Sequence, residues 1–164
     1  MRSGIDKKQM VRRIVEHLTA NLSVLVQAAK SAHEVARDEE NIADNKYDTL
    51  SLEASYLAQG QANRAQEIRF AIDAYRQLSI RQFDDDSAIA VTALVRLEAE
   101  DGSPMTVFLG PHAGGLKIEE NGREVVVITL SSPLGKGLLG KALGDTVELR
   151  AGEVKKELEI VEVC

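Results

Sequence analysis

Four acidic residues lie close together in the first half of the chain. Asp38, Glu39, Glu40 and Asp44 fall within seven residues of one another. Carboxylate oxygens suit Mg²⁺, which usually takes only one or two protein carboxylates and keeps several of its waters. The cluster therefore indicates either a solvated charged loop or a site that completes a metal centre half-built in a partner protein. Taken alone, the residues favour the solvated loop.

The familiar catalytic motifs are absent from the sequence. It has no phosphate-binding loop, no dinucleotide fingerprint and no zinc-ligand spacing. His17, His33 and His112 are scattered over both halves of the chain, and we interpret them as surface or loop residues. The single cysteine, Cys164, can form no internal disulfide and no metal cluster. The motif search therefore identifies no catalytic site within the chain.

Composition and charge favour a cytoplasmic protein. The lone cysteine fits a reducing compartment, the first residues form no apolar secretory segment, and no stretch approaches the ~20 apolar residues of a membrane helix. The formal net charge of −6 excludes long-range attraction to nucleic acid as the main driving force for binding. Aromatic residues make up only 4% of the chain, which argues against a large aromatic-lined ligand pocket.

The first half has the apolar spacing of two long helices. A seam with alternate spacings of four and three residues predicts the first helix; it consists of Val11, Val15, Leu18, Leu22, Leu25, Ala29, Ala32 and Ala36. Asp and Asn residues interrupt the seam between residues 37 and 45, and a second helical run follows over residues 46–78. We predict an antiparallel two-helix coiled coil over residues 1–79, with an acidic tip near residues 38–45. A bundle that dimerises through these seams is the alternative.

The second half, which contains all three Pro residues and ten of the twelve Gly residues, predicts a small antiparallel sheet with one short helix. The Asn121-Gly122 pair is a hairpin signal. The short helix is expected at residues 133–142, and the strands at residues 88–97, 105–109, 116–118, 124–130, 145–150 and 155–163. Residues 80–87, with three adjacent Asp residues, predict a solvated linker, and residues 88–164 a β-rich domain. The expected fold class is α+β.

One segment of the second half resembles a known family. It is Ser131-Ser132-Pro133-Leu134-Gly135-Lys136-Gly137-Leu138-Leu139-Gly140-Lys141-Ala142-Leu143-Gly144-Asp145-Thr146-Val147-Glu148-Leu149. Its order of Ser-Pro, a small-and-apolar helix ending in Gly-Lys, Gly-Asp and a strand is similar to the C-terminal signature of the bacterial Gre transcript-cleavage and elongation factors. Residues 44–47, followed by Tyr56 and Gly60, resemble the start of the family's second coil helix.

The resemblance implies a fold and a partner. The fold is an N-terminal antiparallel coiled coil joined to a domain similar to the FK506-binding protein. The partner is RNA polymerase, which the C-terminal domain contacts at the rim of the secondary channel. RNA and DNA are met only within that complex, no membrane is involved, and the factor is expected to be a monomer. The implied partner-binding residues are Ser132, Pro133, Leu134, Gly135, Gly137, Leu139, Gly140 and Asp145.

The resemblance also implies a role for the acidic tip. The coil enters the channel, and the carboxylates of Asp38, Glu39, Glu40 and Asp44 act in trans on the polymerase active site. Asp44 and Glu40 are the implied Mg²⁺ ligands, shared with the polymerase. One ion would activate the attacking water and the other would steady the leaving oxygen, so that backtracked RNA is hydrolysed. The factor is then no enzyme by itself and has no cofactor of its own.

The tip departs from the family's pattern, which leaves the outcome of channel binding open. The family carries an acid, two intervening residues and then an acid-Asn pair before the Tyr. Asp44-Asn45 matches the pair, but Asn41 stands where the first acid is expected. Counted back from Tyr47 instead, Glu40 takes the place of the first acid and Ala43 that of the second, so either way one of the two expected carboxylates is in register. Three functions are therefore compared: a cleavage-stimulating factor, a channel-binding regulator that does not stimulate cleavage, and a peptidyl-prolyl isomerase. The isomerase has the least support, because Phe83 and Phe108 are the only aromatic residues of the second half.

Overall fold

The computed structural model describes the backbone of residues 4–40 and 45–164, and their side chains except those of residues 32–33, 35–40, 45–55 and 57–58. The chain is an α+β protein in which two long helices precede a six-stranded sheet. By its contacts it divides into unit 1, Met1–Ile14 with Ala74–Cys164, and unit 2, Val15–Asp73. Among the described residues, no helix is long and apolar enough to cross a membrane.

The two long helices are α1, Lys7–Glu40, and α2, Asn45–Arg76. Asp6 caps α1: its side-chain oxygen accepts hydrogen bonds from the backbone N–H groups of Lys8 and Gln9. The helix continues through residues 38–40, which the sequence placed at the turn. Glu is a good helix former, so the charged run does not end the helix.

Unit 2 comprises α1 from Val15 onward and α2 as far as Asp73. Leu18 of the predicted seam is buried, as are Ala65 and Ile72 of α2. Leu22 and Leu25 are half-buried, whereas Val24, which lies off the seam, is exposed. The seam residues are thus the more protected ones in this part of α1; the coiled-coil packing of the two helices stays a prediction.

Unit 1 contains a sheet in the order β3-β4-β2-β1-β6-β5. Its strands are β1 Leu94–Ala99, β2 Pro104–Leu109, β3 Lys117–Glu120, β4 Arg123–Ile128, β5 Thr146–Ala151 and β6 Val154–Val163, with the short helix α3, Pro133–Leu138, between β4 and β5. The hairpin signal is confirmed: Asn121 and Gly122 both have positive φ between β3 and β4. The turn fits the twist of the two strands that it joins.

The prediction of a purely antiparallel sheet was wrong. β2 and β4 are parallel, with Thr106 opposite Val125 and Leu109 opposite Ile128. The glycine-containing connection at residues 110–116 carries the chain past one strand position. β3 therefore lies at the edge, and β4 fills the gap between β3 and β2.

The first predicted strand was too long. β1 begins at Leu94, and residues 88–93 belong to no strand. The backbone of Ile89 instead exchanges hydrogen bonds with the segment after α3: its N–H donates to the carbonyl of Lys141, and its carbonyl accepts from Gly140. Thr92 has a φ of 79°, a left-handed conformation that a strand cannot contain.

The main core of unit 1 lies on the face of the sheet that carries α3. It includes Leu97, Val107 and Ile160 from the strands with Leu134 and Leu138 from α3. Alternate strand residues point to opposite faces, and residues of the other face, among them Leu94, Phe108 and Val125, are also buried. Phe83, from the predicted linker at residues 80–87, belongs to the core on the α3 side.

Candidate partner-binding surface around α3

Ser132 fixes the start of α3. Its hydroxyl donates to the carbonyl of Thr129 at 2.7 Å and accepts from the N–H of Gly135 at 3.1 Å. Pro133 follows in the first turn of the helix, where a missing N–H costs nothing. The Ser-Pro pair thus has a local structural role: the Ser caps the helix and the Pro presets its first turn.

Gly135 allows α3 to lie against the preceding loop. A Cβ atom at this position would lie 1.9 Å from the carbonyl oxygen of Thr129, which is backbone and cannot move aside cheaply. On the same helix, Leu134 and Leu138 are buried in the core. These three residues therefore attach α3 to the sheet and offer little surface to a partner.

The segment after α3 is held by backbone bonds and one carboxylate. The N–H of Leu139 donates to the carbonyl of Gly135 at 3.1 Å, and Gly140 turns the chain with a φ of 82°. Asp145 closes the next turn, since its side chain accepts from the N–H of Ala142 at 2.9 Å. Its own carbonyl accepts from Ile160 of β6 at 2.8 Å. The Gly-Asp pair of the motif thus joins α3 to β5 and β6.

The exposed part of the segment is small and partly apolar. Leu139 is 50% exposed, although it is a large apolar side chain. Lys136 and Lys141, which flank it in the sequence, are exposed, as is Pro133. Gly137 has no atom within 4 Å of where its Cβ would lie, so the surface there is open. An apolar side chain flanked by cations can dock on an apolar depression with an acidic rim.

The structure thus divides the eight residues implied as partner-binding into two groups. Pro133, Gly137 and Leu139 border open space or solvent. Gly140 and Asp145 are also exposed but form turns, and the remaining three form the cap and the buried contacts of α3; they are Ser132, Leu134 and Gly135. Lys136 and Lys141 were not among the residues predicted from the sequence. Their residue type was a signal that could have found them, because a lysine side chain is almost never fully buried.

The acidic tip cannot be placed in the same detail. Asp44 lies outside the described residues, and of Asp38, Glu39 and Glu40 only the helical backbone is described. Within the described part of the chain, His, Cys, Asp and Glu residues form no group that could hold a metal ion. The assignment of Asp44 and Glu40 as Mg²⁺ ligands stays a prediction.

His112, which we interpreted as a loop residue, makes a hydrogen bond through its backbone carbonyl. Its carbonyl accepts a hydrogen bond of 2.6 Å from the hydroxyl of Tyr75 at the end of α2. The Tyr75 side chain is buried, and this burial raises the pKa of its phenol. A Cβ at Gly110 would lie 2.1 Å from the same hydroxyl. The absence of a side chain at Gly110 therefore leaves room for the Tyr75 hydroxyl in the Gly-Pro-His loop.

Known proteins match the chain in both of its parts. Residues 85–164 match the family model described as transcription elongation factor, GreA/GreB, C-term. Transcription elongation factor GreA of Syntrophus aciditrophicus is 25% identical over 163 residues, which cover 99% of this chain and 91% of that protein. Its counterpart of the same name from Rhodospirillum rubrum is 26% identical over 153 residues, with 92% and 90% covered.

Solved structures give a weaker likeness. GreA factor homolog 1 (Gfh1) of Thermus thermophilus is 23% identical, covers 92% of this chain and 94% of its own, and has a TM-score of 0.39. Gfh1 of Thermus aquaticus is 24% identical, with 90% and 92% covered and a TM-score of 0.39. Both scores are too low to carry an argument, so the identification depends on the sequence matches.

The class of the protein follows from the sheet unit. Residues 85–164, which contain the six-stranded sheet and the capped short helix, match the GreA/GreB C-terminal model. The matches to GreA proteins extend through the two helices as well. Together they support membership of the chain in the Gre-type transcription elongation factor family.

Proposed function

We propose that this chain is a transcription elongation factor that binds RNA polymerase and stimulates cleavage of backtracked RNA. The observation that carries the proposal is the match to two proteins named transcription elongation factor GreA, over 99% and 92% of the chain. Because the matches include both the helices and the sheet, they favour a shared function of the whole chain. The cytoplasm is the compartment that we propose.

The surface around α3 is the proposed contact with the polymerase. Leu139 supplies an exposed apolar side chain, and Lys136 and Lys141 supply the positive charge. Apolar side chains near the centre of an interface contribute most when they enter a pocket, whereas charges at the rim act on association and specificity. The rest of the motif holds this surface in shape through the Ser132 cap and the Asp145 turn.

The two helices are the proposed arm. In this proposal α1 and α2 form an antiparallel coiled coil and bring the acidic tip at residues 38–45 to the active site of the polymerase. Carboxylates are suitable Mg²⁺ ligands, and the proposed ligands are Asp44 and Glu40. The metal would supply activation of the attacking water. The factor acts on the polymerase active site and performs no reaction alone.

A second candidate is a regulator that occupies the channel and does not stimulate cleavage. The observation that favours it is Asn41, which stands three residues before Asp44, where the family has an acid. An amide carries no negative charge and so binds Mg²⁺ less strongly than a carboxylate. The isomerase has less support still: Phe83 and Phe108 are both buried and so do not line an open pocket.

A transcript-cleavage assay separates the first two candidates. Purified RNA polymerase is stalled in a backtracked complex on a template with 3′-labelled RNA, and the chain is added with Mg²⁺. Cleavage stimulation predicts rapid release of short 3′ fragments, and the loss of this release in an Asp44→Ala, Glu40→Ala double variant. The matched control is a Glu16→Ala, Glu67→Ala double variant, which removes two exposed carboxylates elsewhere on the helices.

The outcomes assign the function. Fragment release by wild type and control but not by the tip variant supports cleavage. Slowed RNA synthesis without fragments would contradict it and favour the channel regulator. Fragment release that the tip variant retains would contradict the proposed role of Asp44 and Glu40.

A further inference from the structure

Lys7 is a buried lysine in the first turn of α1. It is 6% exposed, which is unusual for this residue type. Its ammonium group donates to three backbone carbonyls, those of Arg81, Thr92 and Cys164, the last two at 2.9 Å. An ammonium has three N–H donors, so every donor of Lys7 is used. The side chain is built into unit 1 and does not act as a surface charge.

An aromatic ring completes the environment of this ammonium. It lies 4.9 Å from the centre of the Phe83 ring, and the Arg81 guanidinium lies 5.0 Å from the same centre. Ring faces attract cations, and the attraction grows when water is excluded. Burial lowers the pKa of Lys7 to about 8, the nearby Cys164 opposing that shift and the Arg81 charge adding to it. At neutral pH the group is charged, and all three donors are present.

The three carbonyls belong to segments that are far apart in the sequence. Arg81 follows the end of α2, Thr92 precedes β1, and Cys164 follows β6. These segments also bond to one another: the N–H of Arg81 donates to the Thr92 hydroxyl at 3.0 Å, and Leu94 and Cys164 exchange two backbone bonds. Lys7 therefore links the beginning of α1 to the segment that follows α2. It also links both to the residues just before β1 and just after β6.

We propose that Lys7 is a positioning residue that fixes the root of the helical arm, meaning the first turn of α1 together with residues 77–83, within unit 1. The geometry supports this role because one side chain holds both ends of the α1–α2 segment. Two of its bonds are to peptide carbonyls, those of Arg81 and Thr92, which cannot rotate away as side chains can, and the third is to the main-chain oxygen of Cys164. Without the ammonium, the buried carbonyl of Thr92 and the part-buried main-chain oxygens of Arg81 and Cys164 lose a donor, and the first turn of α1 loses its link to these three residues.

The effect on function rests on the proposed action at RNA polymerase. α1 continues as one helix from Lys7 to Glu40. Motion of its first turn therefore displaces the far end of the helix as well. A tip that samples more positions lies in the polymerase active site for less of the time. Binding through the α3 surface does not need Lys7. Loss of the Lys7 bonds should thus reduce cleavage, or channel inhibition, and leave binding in place.

The first test measures the root itself and does not involve the polymerase. Spin labels are attached at Arg12→Cys and Glu153→Cys, two exposed positions of unit 1, in a Cys164→Ser background. Pulsed electron paramagnetic resonance gives the distribution of distances between the labels. We expect a narrow distribution with Lys7 and one at least twice as wide in Lys7→Met. Lys8→Met, an exposed neighbour in the same turn, is the matched control and should stay narrow.

A merely structural role predicts a different result. Lys7→Met would then lower the melting temperature and leave the distance distribution unchanged at a temperature where both proteins are fully folded; this outcome would overturn the proposal. If Lys7→Met does not fold, Lys7→Gln, which keeps an amide donor, is compared with Lys8→Gln by the same measurement. A failure of RNA polymerase binding would overturn the proposed function and leave this test of the root intact.

Discussion

At the scale of single residues, Arg13 and Glu120 form an ion pair of unequal burial. The two groups are 2.8 Å apart, with Glu120 3% and Arg13 46% exposed. Arg13 also donates to the carbonyl of Glu119 at 3.2 Å. A buried carboxylate without a partner is costly. The first turns of α1 therefore have a charged contact with β3 at the edge of the sheet.

This pair gives a prediction for stability. Arg13→Ala should lower the free energy of unfolding by about 2 kcal/mol, because it removes the ion pair and leaves a buried carboxylate unpaired. Arg12→Ala, at the exposed neighbouring position, should change it by less than about 0.5 kcal/mol. Denaturant unfolding followed by circular dichroism measures both. Equal effects of the two variants would contradict the account of the pair.

Lys7 gives a prediction for pH dependence. Its pKa is about 8 in the folded chain, against the ordinary lysine value of 10.5, which represents the unfolded chain. Between these values the unfolded chain binds more protons than the folded chain, so the contribution of Lys7 to stability rises with pH in this window. Below the folded pKa both states are protonated, and the contribution is flat.

The measurement is the difference in unfolding free energy between wild type and Lys7→Met at about pH 7, 9 and 10.5, which spans the two pKa values. Groups that titrate in both proteins cancel in this difference. It should move in favour of wild type as the pH rises above about 8. A difference that is constant or falls over this range would contradict the burial of a charged Lys7.

At the scale of elements, α3 depends on its first residue. Ser132 both accepts from Gly135 and donates to Thr129, so its hydroxyl joins the helix to the loop before it. Ser132→Ala should lower the free energy of unfolding by about 1 kcal/mol, the usual effect of losing an N-cap. Ser131→Ala, at the exposed preceding position, is the control. Equal losses in chemical denaturation would show that the cap contributes nothing specific.

The sequence predicted elements well where local signals are strong. The two long helices follow from the apolar spacing and the absence of Pro, and the Asn121-Gly122 turn follows from its need for positive φ. The prediction from sequence failed where contacts between residues far apart in the chain determine the local structure. Ile89 lies in a β-prone run, yet its backbone bonds to residues 140 and 141. Likewise, no local signal shows that β4 pairs in parallel with β2.

The location of the candidate surface was predictable from the sequence, whereas the residues that a partner would contact were less so. The resemblance located the segment, but it could not separate residues that shape α3 from residues that a partner would contact. That distinction depends on burial: Leu138 is fully buried and its neighbour Leu139 is half exposed. Lys7 was missed for the same reason, because a lysine that bonds to three distant carbonyls has no signature in its own neighbourhood.

At the scale of the whole molecule, we propose that this chain is a factor with two functional parts. The sheet unit presents the surface around α3, and the helices carry the acidic segment. The sequence matches support both parts as Gre-type. Binding to RNA polymerase is the step on which all the proposed activities depend.

The most direct test of that claim is the binding of labelled chain to purified bacterial RNA polymerase, measured by fluorescence anisotropy. Wild type should bind, and Leu139→Asp should weaken binding by at least about tenfold, because it removes the exposed apolar side chain at the proposed contact. The matched control is Val154→Asp, which changes a residue that is 59% exposed on β6. It should bind as wild type does. No binding by wild type, or equal binding by all three proteins, would contradict the account.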